Sequence, residues 1–231
     1  MLQDISKRRL VDEAANALRR LIVEARIKPG ERLFQEKLAE MLGISRTPIR
    51  EALQLLEREG LVSSLGRQGV VVTQLSSKDV EETYDVREVL DGLAARLAAD
   101  RISDTELVDL RKPLDKMDSC AEKGDRRRWL EANQLFHDII VQVAQNERLV
   151  QALAAVRTSL DLFAPFVWAQ RHRRDLSNRE HQEIYEALAS RNAREAERLA
   201  RAHAQVVKEA VLDALKEQPV RADKKEIASG R

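Results

Sequence analysis

The stretch from Leu38 to Leu56 constrains this chain more than any other. Leu38, Ala39 and Leu42 put apolar side chains on one face of a short helix from about Gln35 to Leu42, and Gly43 stops it. Ile49, Leu53 and Leu56 repeat the pattern on a second helix that begins after Ser45 and runs to about Glu59. Gly43 supplies a permissive backbone for a tight turn, Ser45 can cap the second helix, and Pro48 fits its first turn, where no amide hydrogen is needed. Two short helices so joined make a helix-turn-helix, whose first helix braces the second against the DNA major groove. Upstream, Leu10, Ala14, Leu18, Leu21 and Ile22 describe an amphipathic helix over about 10–25, ended by Pro29 and Gly30. Downstream, Leu61–Ser64 and Val70–Thr73 flank a turn at Gly66–Gly69, the one convincing hairpin in the chain. Residues 1–75 are therefore expected to form a winged helix-turn-helix that binds double-stranded DNA.

In such a domain the exposed first turns of the second helix meet base edges. There Arg46 and Arg50 can bond O6 and N7 of guanine, and the hydroxyls of Ser45 and Thr47 can reach phosphate or base. Arg67 would bring charge to the minor groove or backbone, and Gly69 would allow close approach. The overall charge of +1 is silent, but residues 1–75 hold 13 Lys/Arg against 10 Asp/Glu, while the remainder holds 27 against 29. The basic excess lies where phosphates would be.

A length of 231 residues favours two domains, and only eight glycines, five prolines and 3% aromatics favour helices over sheet. From Ser77 onward the pattern is helical, with starts expected near Ser77, Ser103, Asp125, Asn146, Ser177 and Asn192 and a kink or break near Pro113 and Pro165. The fold expected is mainly α: a winged helix-turn-helix with a small β-hairpin wing, then an all-α antiparallel helical bundle over 76–217, and a disordered tail over 218–231. No apolar run approaches the roughly 20 residues that span a bilayer, which points to a cytoplasmic protein without membrane contact. The single cysteine, Cys120, reads as a space-filler.

The run Lys28-Pro29-Gly30-Glu31-Arg32-Leu33, the segment from Leu38 through Gly43-Ile44-Ser45-Arg46-Thr47-Pro48-Ile49-Arg50 to Leu53, and Leu56 to Val62 together resemble the GntR family of bacterial regulators. The resemblance implies that Arg46, Thr47, Arg50 and the Gly66–Gly69 wing touch DNA. It also implies a homodimer on a short palindromic operator. Some relatives carry a DNA-contacting arginine where this chain has Glu36, so that contact is not expected here.

Four histidines carry the remaining chemistry. Asn133 and His137 lie four apart and share a helix face, while His181 and His203 fall on the last two helices. Three imidazoles and an amide oxygen could converge as a shell for a divalent transition metal, although each histidine alone could equally be a satisfied core or surface side chain. His172, within Arg171-His172-Arg173-Arg174, reads as part of a solvated linker. Asn133, Phe136 and His137, the segment Glu180–Ile184 and His203 resemble the FCD ligand-binding domain of the FadR branch of the GntR family, which implies a metal site. Such domains more often have aspartate at position 133. A neutral amide leaves the metal's charge uncompensated, so a small organic acid is expected to bind beside it as effector. Arg87 is a second candidate anion partner, or else a surface ion-pair residue. Imidazole ligands do not separate zinc, nickel, manganese and iron. Two other readings stand beside the acid-responsive regulator: a purely structural or sensed metal, and a metal-dependent hydrolase. The last lacks an HExxH helix and a clear general base.

Overall fold

The structure, a computed structural model, describes residues 2–24, 26–66, 69–74, 76–156 and 171–216. Expectations for Arg67, Pro165 and the tail at 218–231 lie outside the described residues, as does the side chain of His172. Among the described helices none is long and apolar enough to cross a membrane.

The N-terminal part comprises α1 (Leu2–Val23), β1 (Arg32–Leu33), α2 (Gln35–Leu42), α3 (Arg46–Arg58), β2 (Val62–Ser64) and β3 (Val70–Val72). Helix α1 begins well before the expected Leu10. Its periodic face, Val11, Ala14, Leu18 and Ile22, is buried against Leu38 and Ala39 of α2 and Ile49, Ala52, Leu53 and Leu56 of α3. Gly43 closes α2 in the left-handed region at φ 66°, with the Ile44 amide returning to the Ala39 carbonyl. The hairpin of β2 and β3 forms as expected, but it is part of a three-stranded sheet in the order β1-β3-β2. Strand β1 pairs antiparallel with β3, Arg32 opposite Val71 and Leu33 opposite Val70.

The C-terminal part is helical: α4 (Ser77–Arg101), α5 (Asp104–Lys123), α6 (Arg126–Val143), α7 (described over 147–156), α8 (Arg171–Ala189) and α9 (Ala193–Lys216). The cap of α4 is Ser76 rather than Ser77, because Asp79 sits where it can complete a capping box with Ser76. Ser103 and Glu106 form the corresponding box on α5. Asp125, Asn146 and Asn192 each accept an amide of the helix they open. Ser177 caps nothing: α8, described from Arg171 onward, runs through it, and the small side chain is buried. Helix α5 likewise continues through Pro113 without a break. The missing amide forfeits one bond there, while the ring itself is buried.

A separate apolar cluster holds these helices together, with Trp129, Phe136, Met117, Leu110, Ile184 and Leu188 at its centre and Cys120 among its buried members. Helix α4 packs along α9, and α5 packs on α6 and α8. The α4–α9 approach is close at Gly92, where a Cβ would come within 2.6 Å of Arg201 Cγ. Helix α8 packs on α9, and α4 and α5 tie α6 to both, so that the three helices face one interior point.

Candidate functional site

On the N-terminal face, Arg46, Thr47 and Arg50 are exposed on the first turns of α3, while the opposite face, Ile49 and Leu53, is buried. Ser45 occupies the N-cap position, yet its side chain makes no capping hydrogen bond. Gly66 and Gly69 both have positive φ, 61° and 95°, and Gly69 is exposed in the turn between β2 and β3. Arg46 pairs with Glu36 of α2 at 2.8 Å, both side chains largely exposed. Glu36, where no DNA contact is expected, thus holds one of the arginines expected to make one.

In the bundle, α6 brings His137, α8 brings His181 and α9 brings His203, with candidate ligand atoms all within 4.8 Å of one another. His137 Nε2 and His181 Nε2 lie 3.2 Å apart. His203 Nδ1 donates to Glu180 Oε2 at 2.7 Å, which leaves its Nε2 as the nitrogen available to a ligand. Phe136 packs on the rings of His137 and His181, with centroids 5.6 and 4.8 Å away. Among the described residues, the buried His181 Nδ1 has no hydrogen-bond partner.

Burial holds the pKa of His137 and His181 well below its usual value, with the Arg87 charge and the neighbouring imidazoles adding to the effect. That of His203 is also lowered by burial, although Glu180 acts against it. Neutral imidazoles facing one another are the state that binds a divalent transition metal, so the donor set fits such an ion.

Glu180 enters the sequence reading only as the first residue of the Glu180–Ile184 segment, with no role given by its spacing, yet it organises the site. Burial alone would raise its pKa, but hydrogen bonds from His203 and Arg173 outweigh that and lower it. Arg173 grips it bidentately at 3.0 and 2.6 Å and is only 4% exposed. The expected solvated linker at 171–174 is instead helical and part of α8, and Arg173 stands two turns before Glu180 on the same face and is neutralised by it. Metal-binding histidines are commonly oriented by a carboxylate in this way.

A cavity of about 760 Å³ opens beside the cluster, and Asn133, His137, His203 and Arg87 are all on its wall. Asn133 thus stands on the wall of the cavity that adjoins the histidine cluster. Of the two readings of Arg87, an exposed surface pair is excluded: Arg87 Nε donates to Asp91 at 2.9 Å with both side chains 12% exposed. Its guanidinium also lies 5.4 Å from the Tyr84 ring centre.

Comparison with known proteins agrees with this architecture. Residues 10–72 match the bacterial regulatory proteins of the gntR family, and residues 82–206 match the FCD domain. The uncharacterized HTH-type transcriptional regulator YdhC of Bacillus subtilis is 34% identical over 189 residues, which cover 81% of this chain and 84% of that protein. The Nta operon transcriptional regulator of Aminobacter aminovorans is 31% identical, with 80% and 86% covered. Among solved structures, Escherichia coli McbR/YncC has the same fold, with a TM-score of 0.77 at 23% identity over 90% of this chain and 98% of that one. These domains and relatives are regulators rather than enzymes, and the chain belongs to the GntR family of bacterial transcriptional regulators, among those that carry an FCD domain.

Proposed function

We propose that this protein is a sequence-specific regulator whose operator affinity is set by a small organic acid bound next to a divalent transition metal. Residues 1–75 are its DNA-binding domain and 76–217 its sensing and dimerising domain, and a homodimer reads a palindrome. Arg46, Arg50 and Thr47 read the major groove, Ser45 contacts phosphate, and Arg67 and Gly69 approach from the wing. The observation that carries the sensing half is the convergence of His137, His181 and His203 from three helices beside a cavity. His137, His181 and His203 hold the metal, with Asn133 as fourth donor. Bound there, the ion supplies a positive centre to which a carboxylate can attach. Arg87, whose five donors exceed what Asp91 alone can accept, helps hold the acid's second oxygen.

Elemental analysis of His137→Ala and His181→Ala against wild type tests the metal site. Retention of equal metal in both variants would sink the assignment. Binding to a palindrome selected from random DNA should fall sharply in Arg46→Ala and Arg50→Ala and weaken with salt. A second reading has one observation in its favour: His181 and His203 are almost wholly buried, as befits a metal that ties helices together without sensing. Removing the metal with a chelator separates the two. A structural ion lowers thermal stability but leaves the acid response of the surviving fold intact, and a sensing ion abolishes that response.

A further inference from the structure

The cavity beside the histidines is not walled by the bundle alone. Arg19, Arg20 and Val23, in the last turns of α1, and Glu24 just after it, are part of its lining. That junction is anchored by Arg126 at the start of α6, which donates to the Val23 carbonyl at 3.1 Å. His137 lies eleven residues further along α6, about 16 Å at the helical rise. A volume of about 760 Å³ suits an extended ligand better than an acid of a few atoms, and Leu130, Val141, Leu153 and Val207 make much of the wall apolar.

Arg19 faces two ways. It lines the cavity, and its guanidinium also forks onto Glu59, with Nη2 2.7 Å from both carboxylate oxygens and Nε 3.1 Å from Oε2. Glu59 is the residue that ends α3, the helix bearing Arg46, Thr47 and Arg50. The two side chains are 28% and 36% exposed, so a competing anion displaces the pair at small cost.

We propose that the effector site is shared by both halves of the chain and takes an elongated acid with an apolar middle and a second anionic group, which draws Arg19 off Glu59 and loosens the end of the reading helix. This rests on the reading of the cavity as an effector site. One carboxylate binds at the metal end, the apolar body lies along the wall, and the other carboxylate takes the fork that Arg19 gives to Glu59. Because this contact differs between the two states of Arg19, binding energy reaches α3 directly.

The test is calorimetric titration of the zinc-loaded, full-length protein with succinate, decanoate and sebacate, alongside affinity for a selected palindrome. Sebacate should bind at least tenfold more tightly than either decanoate or succinate and should change operator affinity. Arg19→Gln should abolish the advantage of sebacate over decanoate. Glu59→Gln should strengthen sebacate alone, since the competitor for Arg19 is gone. Equal binding of sebacate and decanoate, an advantage that survives Arg19→Gln, or sebacate binding without effect on DNA would overturn this inference while leaving the acid-effector reading in place. Failure of all three acids to bind would overturn both.

Discussion

Replacing Glu180 by Gln separates the site's charge from its shape. The amide keeps an oxygen that can accept from His203 Nδ1, but it removes the negative charge that sits 2.7 Å from that ring. Loss of such an orienting carboxylate costs about 10- to 100-fold in metal affinity. At about 1.4 kcal/mol per factor of ten this amounts to roughly 1.4–2.8 kcal/mol. A second cost falls on the metal-free fold. Arg173 is 4% exposed and loses its bidentate partner, and removing one member of a buried pair costs about 3–5 kcal/mol. Glu180 keeps 16% exposure, so solvent screening reduces this to about 2 kcal/mol. Zinc competition against a chelating dye measures the first effect, and urea unfolding in chelator measures the second. The double variant Glu180→Gln with Arg173→Met should regain most of the lost stability and none of the lost affinity, because an apolar side chain leaves no stranded charge. If folded Glu180→Gln binds zinc as tightly as wild type, Glu180 does not orient His203 toward a metal and the reasoning fails.

Arg50→Ala should lower affinity for the selected palindrome by about 1–3 kcal/mol and reduce the slope of log affinity against log salt by up to about one unit, read by gel shift at several salt concentrations. An unchanged slope and affinity would remove Arg50 from the interface. Gly43→Ala meets no neighbour within 4 Å among the described residues, so its cost is that of a Cβ at φ 66°, about 1–2 kcal/mol in a thermal melt. Ser103→Ala should cost about 1 kcal/mol at neutral pH through loss of the α5 cap. Hydrogen bonds from Ser103 hold the Glu106 carboxyl below its ordinary 4.5. That contribution is therefore complete above the unfolded value and is lost as pH falls through the lower folded one. Urea melts should accordingly show the gap between wild type and Ser103→Ala narrowing in acid without closing, because Ser103 Oγ still accepts the Glu106 amide there; a gap that does not change with pH would contradict the pairing.

What could be read from the sequence was local. The α2–Gly43–α3 unit follows from apolar spacing and one glycine, and Ser103 with Glu106 carries its own cap within four residues. The histidines were legible as a group only through their resemblance to a known pattern, since spacing cannot bring three helices to one point. What escaped depended on contacts across the chain. Strand β1 is two residues long and takes its identity from Val70 and Val71 far downstream. Arg173 lies in a run of basic residues that reads as solvated until Glu180, two turns on, is seen to neutralise it. Arg19 and Glu59 are forty residues apart, and nothing near either one announces the pair. Asp91 similarly changes Arg87 from a surface charge into a buried one.

Strand β1 also decides how the DNA-facing surface moves. A two-stranded wing hanging from β2 alone would swing about its own hinge, but β3 is laced on both edges, by β2 and by the segment that leaves α1. The Gly30 amide adds a stitch to the Val72 carbonyl at 2.9 Å. Torque applied at the end of α1 would therefore reach the domain along two spokes at once, through Arg19 to the tail of α3 and through β1 to the root of the wing. The winged domain should turn as a single lever, so its major-groove and wing contacts would be gained or lost together rather than one after the other.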